Sequence, residues 1–118
     1  MKLKGPTPEK ILPAIFYGVA IIQILAGIPL ALSVVPQNSI YGFRTRSTLA
    51  NETIWYEMNQ IFGIALVLGQ IIILIATLLI LSKKRNLKEI SIYKVGIGLN
   101  IIVLIVAALL TFILANNI

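Results

Sequence analysis

Three stretches of the chain carry no charged side chain and few polar ones: residues 11–35, 61–81 and 95–114, runs of 25, 21 and 20 residues. A helix rises about 1.5 Å per residue and the hydrocarbon core of a bilayer is about 30 Å thick, so each run is long enough to cross a membrane. None carries the charged face of a helix lying in the interface. The pattern predicts an all-α membrane protein whose residues 1–118 form a single domain of three transmembrane helices, with a long first connection over residues 36–60.

Inside these runs the polar and small residues recur at helical spacing. Glu52, Trp55, Asn59, Gly63, Leu66 and Gln70 follow one another in steps of 3, 4, 4, 3 and 4, which puts them on one face of one helix. The third run repeats the theme with Tyr93, Gly96, Asn100, Ala107 and Thr111, and the first offers Gln23 and Gly27. Small residues beside amides are what helix association in lipid favours, because close backbones and interhelical hydrogen bonds replace the missing hydrophobic drive. The alternative is that Gln23, Gln70 and Asn100 line a substrate path. No run contains the ionisable residue that coupled transport generally needs, so the packing reading is preferred.

The first connection is 25 residues long, against roughly 2 to 8 between bundled helices. Ile40, Tyr41, Phe43, Leu49, Ile54, Trp55, Tyr56 and Met58 make it too apolar to remain solvated, so a structured loop folded against the membrane surface is expected. Pro29 lacks an N–H and predicts a bend near residues 27–29; Pro36 is expected to end the first helix. Gly42 and Asn38 place a turn and an extended piece over residues 36–47. Asn51 reads as an N-cap, with Glu52 at the positive end of the following helix dipole.

Charge sets the expected orientation. Lys2, Lys4, Lys10, Lys83, Lys84, Arg85, Lys88 and Lys94 fall on one side of a three-span chain, against Arg44 and Arg46 on the other. Eight against two predicts a cytoplasmic N-terminus, an outer C-terminus and an outward-facing first loop in the cell membrane. A cleaved signal peptide ending near Ala31-Leu32-Ser33 is the lesser reading, since signal cores are about 7 to 15 residues long. The net charge of +6 does not point to nucleic acid, because the basic residues flank apolar runs rather than forming a solvated stripe.

The chain is 58% hydrophobic and 12% charged, with no cysteine, histidine or aspartate. That removes disulfides, imidazole bases and the common zinc ligand sets, and neither a metal nor a cofactor is expected. Glu52 and Glu57 are five residues apart, about 140° around a helix, and do not converge as a carboxylate pair. With four glutamates as the only acids, a general base near neutral pH would need a strongly shifted Glu or Lys, so the chain reads as not an enzyme. Arg44 is the candidate binding group: a guanidinium at an interface clamps carboxylate or phosphate with two parallel bonds. Its plainer role is a surface pair with Glu52 or Glu57 or a headgroup contact, and Trp55 and Tyr56 read equally as interfacial anchors.

The stretch Val35-Pro36-Gln37-Asn38, then Tyr41-Gly42-Phe43-Arg44-Thr45, then Thr48, Asn51, Trp55, Asn59 and Gly63 resembles the signature of the SdpI family of small bacterial and archaeal membrane proteins. The elements P-x-N, G-x-R-T, W, N and G all occur in order, over about a quarter of the chain. The family is named for an immunity protein that protects cells from a secreted peptide toxin and also signals by holding a repressor at the membrane. The resemblance implies Pro36, Asn38, Tyr41, Gly42, Arg44, Thr45, Trp55, Asn59 and Gly63 as the signature site. In that picture Gly42 permits a positive-φ turn, and Arg44 points its fork at the second helix with Trp55 and Asn59 as partners.

The leading expectation is therefore a binding or resistance module of the lipid bilayer, for toxin-peptide immunity or signalling, that recognises an amphipathic peptide or lipid headgroup at its outer face. The alternative is a structural or accessory subunit that packs in a homo-oligomer or against a membrane partner, with no ligand of its own.

Overall fold

The computed structural model describes residues 5–83 and 88–116. Those residues form four helices: α1 (Pro8–Ala31), α2 (Arg46–Ala50), α3 (Glu52–Lys83) and α4 (Glu89–Asn116), with no strand among them. The three long helices each have the length and apolar composition to cross a membrane, and every pair of them is in contact. The protein is a multi-pass membrane protein. Lys2, Lys4, Lys84 and Arg85, four of the basic residues behind the expected orientation, lie outside the described residues.

Contacts fix the directions of the helices. Gln23 meets Gln70 and Gln60 reaches Ala31, so α1 and α3 are antiparallel. Tyr17 meets Tyr93 while Gln23 meets Asn100, so α1 and α4 run parallel. The ends bearing Lys10, Lys83, Lys88 and Lys94 therefore gather at one end of the bundle, and the connection from α1 to α3 covers the other.

The expected bundle-facing stripes are buried, apart from Glu52, which is exposed in the first turn of α3. Trp55, Asn59, Gly63, Leu66 and Gln70 of α3 are joined by Gly96, Asn100, Ala107 and Thr111 of α4 and by Phe16, Ala20, Gly27 and Leu30 of α1; Tyr93 is half-buried. Outward positions are large and aliphatic; Ile22 is 67% exposed, the reverse of a water-soluble bundle and suited to a bilayer.

Two boundaries differ from expectation. α1 stops at Ala31, not at Pro36. Leu32 caps it, Ser33 takes φ +57°, its N–H donates to Leu30 O at 3.1 Å, and the Val34 N–H donates to Pro29 O at 3.2 Å. This is a Schellman ending, with serine in the position usually given to glycine. Pro36 belongs to the extended piece that follows. The second correction is α2, a short helix that begins at the end of the stretch read as turn and extended chain (residues 36–47) and runs on to Ala50. Thr45 is its N-cap: the Thr48 N–H donates to Thr45 Oγ1 at 3.2 Å, and the Thr45 N–H donates to Thr48 Oγ1 at 2.8 Å. Asn51 ends α2 and begins α3, its Oδ1 accepting from the Ile54 N–H at 3.2 Å, the cap the sequence predicts.

Candidate functional site

Residues 32–51 and the first two turns of α3 fold together as a headpiece at one end of the bundle. Asn38 shapes its first turn. Its Oδ1 accepts from the N–H groups of Ile40 and Tyr41 at 2.9 and 2.6 Å, and its Nδ2 donates to Pro36 O at 2.9 Å, an Asx-type turn in which the side chain replaces missing backbone partners. The Tyr41 hydroxyl donates to Ala26 O in α1, which ties the turn to the first span. Burial pushes the Tyr41 phenol above its ordinary pKa of 10.0, because the phenolate would be the worse-solvated form.

Gly42 crosses directly over α3 with φ +114°. A Cβ at this position would lie 2.7 Å from Asn59 Oδ1 and 3.1 Å from the Trp55 ring, so both the backbone conformation and the space require glycine. Beneath it, Asn59 is 2% exposed. Its Oδ1 accepts from the Phe43 N–H at 2.6 Å, while its Nδ2 donates to Trp55 O at 2.9 Å and Phe43 O at 3.3 Å. Trp55 is fully buried, and its indole N–H donates to Val35 O at 2.8 Å. The signature residues Pro36, Asn38, Tyr41, Gly42, Thr45, Trp55 and Asn59 thus belong to one hydrogen-bonded unit whose polar backbone is satisfied largely by side chains.

Arg44 departs from the picture drawn from the sequence. It is exposed, and its guanidinium turns along the rim of the headpiece to donate to Ser39 O. Trp55 and Asn59 pack under Gly42 and Phe43 instead, where a guanidinium would be buried with no carboxylate beside it, a costly arrangement. Nor does Arg44 pair with Glu52 or Glu57, all three being described residues with exposed side chains and no ion pair. One edge of the fork is held by a carbonyl and the remainder faces outward.

Residues absent from the sequence-level site also build it. Thr48 is fully buried and its hydroxyl donates to Phe43 O at 3.1 Å. Gln37 Nε2 donates to Thr48 O at 2.8 Å, and Gln60 Nε2 to Ala31 O at 3.2 Å. The Thr45-x-x-Thr48 spacing is a readable capping signal. Gln37 and Gln60 act on carbonyls distant in sequence, for which spacing provides no cue.

Gly63 sits one turn below Asn59 at the crossing of α1 and α3. A Cβ there would lie 2.5 Å from both Ala31 N and Gly27 O, so the crossing depends on bare backbone, as close helix pairs in lipid commonly do. Two turns further in, Gln23, Gln70 and Asn100 meet. Gln70 Nε2 donates to Gln23 Oε1 at 2.6 Å and to Asn100 O at 3.2 Å, Gln23 Nε2 donates to Asn100 O at 3.3 Å, and Asn100 Nδ2 donates to Phe16 O at 3.1 Å. One amide cluster joins all three spans. Gln70 Oε1 and Asn100 Oδ1 are buried there with no partner.

The model of the SdpI/YfhL protein family matches residues 34–115. The match takes in the headpiece from Val34 onward, α2, α3 and nearly all of α4, and so includes every signature residue as well as Gln70 and Asn100 but not Gln23. No curated protein and no solved structure gives a match.

Proposed function

Because the chain belongs to the SdpI/YfhL protein family, we propose that it is a binding and resistance module of the cell membrane. Its headpiece faces outward and takes the carboxylate or phosphate of an amphipathic ligand, a toxin peptide above all, without chemical turnover. The observation that carries this reading is Arg44: an exposed guanidinium held on one edge by Ser39 O, with no carboxylate among the described residues paired to it. A fork restrained this way loses less freedom on clamping a ligand oxygen than a loose lysine does. The headpiece beneath it is braced by Asn38, Asn59 and Trp55, so the platform is formed before the ligand arrives. The outward orientation is supported by the sequence, whose three-span pattern sets eight basic residues on one side against Arg44 and Arg46 on the other.

The test is expression of wild type and Arg44→Ala in a host sensitive to membrane-active peptides, scoring both membrane accumulation and survival. The reading expects equal accumulation with protection lost in Arg44→Ala and retained in Arg46→Ala. Equal survival of both strains and of the empty host would remove the resistance role and favour an accessory subunit. Reduced accumulation of Arg44→Ala would make the arginine a structural brace.

A further inference from the structure

At the end of the bundle opposite the headpiece, α3 and α4 leave a cleft of about 230 Å³. Ala76, Thr77 and Ile80 form one wall and Ile92, Val95 and Leu99 the other. The cleft stays open because Ala76, Ser91 and Gly96 are too small to close it, and the face of Gly96 is taken by the Phe16 ring of α1. Its walls are apolar, and it lies between two membrane-spanning helices, where lipid chains are the surrounding solvent.

Basic residues follow the cleft-lining positions of α3 and precede those of α4. Lys88 immediately precedes α4, and the Ile92 N–H donates to Lys88 O at 3.2 Å, so Lys88 sits at the N-terminal end of the helix, one turn before Ser91 and Ile92 of the cleft. Lys83 follows Ile80 and Ala76 by 3 and 7 residues and shares the corresponding face of α3. Both lysines are exposed. Lys10 and Lys94 add positive charge at this end, against the carboxylates of Glu9 and Glu89. An apolar slot that opens beneath two lysines is complementary to one molecule type in particular, a chain with an anionic head.

We propose that this cleft holds one acyl chain of an anionic phospholipid whose phosphate is bound by Lys83 and Lys88. The site is separate from the headpiece and does not depend on how the headpiece is read. Long lysine side chains reach the headgroup level while their stems cover apolar surface, and basic residues beside a membrane favour anionic lipid by about fivefold each.

The experiment uses the full chain in detergent, exchanged into equimolar phosphatidylglycerol and phosphatidylcholine of matched chain length, with retained lipid counted by native mass spectrometry. Wild type is expected to keep one phosphatidylglycerol in preference to phosphatidylcholine. The Lys83→Gln/Lys88→Gln variant keeps a lipid but loses the preference, by about fivefold per lysine. Ala76→Phe, which fills the slot, loses both lipids at unchanged helicity; should it fail to accumulate, Val95→Trp fills the slot from the other wall. Equal retention of the two lipids by wild type, a preference that survives removal of both lysines, or a lipid that stays bound to both filled variants would overturn the proposal. So would binding of soluble glycerol phosphate as tight as that of the lipid, since the chain would then contribute nothing.

Discussion

Asn59 Oδ1 lies 2.6 Å from the Phe43 nitrogen, across 16 residues of sequence. One amide of α3 therefore supplies what a neighbouring strand would otherwise give the loop, and it does so beneath the glycine that crosses it. Replacing Asn59 with Leu leaves the Phe43 N–H buried without an acceptor, at a cost of about 1–3 kcal/mol. Asn59→Asp keeps an acceptor for the Phe43 N–H but turns a carboxylate oxygen toward Trp55 O and Phe43 O in a buried site, so its thermal unfolding in detergent is expected to approach that of wild type only at acid pH, where the protonated carboxyl can donate. Trp55 is the only tryptophan, and its emission should move to the red in Asn59→Leu as the headpiece opens.

Two glycines in the spans separate contact from propensity. Gly63→Ala would set a Cβ 2.5 Å from the α1 backbone, whereas Gly98→Ala meets nothing within 4 Å. The first is expected to force α1 and α3 apart and lower the midpoint of thermal unfolding. The second is expected to raise it slightly, by the roughly 0.5–1 kcal/mol that alanine holds over glycine in a helix interior.

Tyr41 predicts an alkaline signature. Its folded pKa is raised above 10.0 by burial, so its stabilising contribution is complete below the unfolded value and fades as pH climbs through the folded one. Unfolding temperatures of wild type and Tyr41→Phe, which lacks the bond to Ala26 O, should differ most at pH 8 and converge above pH 10. A gap that stays constant with pH would mean that the hydroxyl contributes nothing that ionisation removes.

The Gln23–Gln70 contact at 2.6 Å is the clearest candidate for measurable coupling between spans. A double-mutant cycle to Leu at both positions should return about 0.6 kcal/mol, with about 1.7 as the upper end for such pairs in lipid. Gln70→Leu alone is expected to cost little for a buried amide, because it also removes the partnerless Gln70 Oε1. A coupling near zero would show that the amides are merely adjacent.

Much of this architecture can be read from the chain, for reasons that differ by residue. The three long helices follow from charge-free length, the start of α3 from Asn51, and the inward face of α3 from the 3-and-4 spacing that ends at Gln70. The end of α1 does not follow, because an apolar run continues through Val35 while the turn is made by a serine in the left-handed region, which hydrophobicity does not encode. α2 has only five residues, too few for periodicity, and its capping threonines are its one signal. The position of Arg44 was hidden because its partner is the carbonyl of Ser39, and a carbonyl is present at every residue. That Gln23, Gln70 and Asn100 meet could be suspected from their types, but the depth at which they align depends on where the loop lets α1 end.

α3 has 32 residues, so at about 1.5 Å each it measures about 48 Å, well beyond the hydrocarbon thickness of about 30 Å. The surplus becomes a rigid post, and the headpiece is bonded to it through Trp55 and Asn59. A span longer than the local hydrocarbon thickness is commonly accommodated by tilting. Any such tilt carries the headpiece and Arg44 with it, because Trp55 and Asn59 fix the loop to α3 rather than leaving it on a tether.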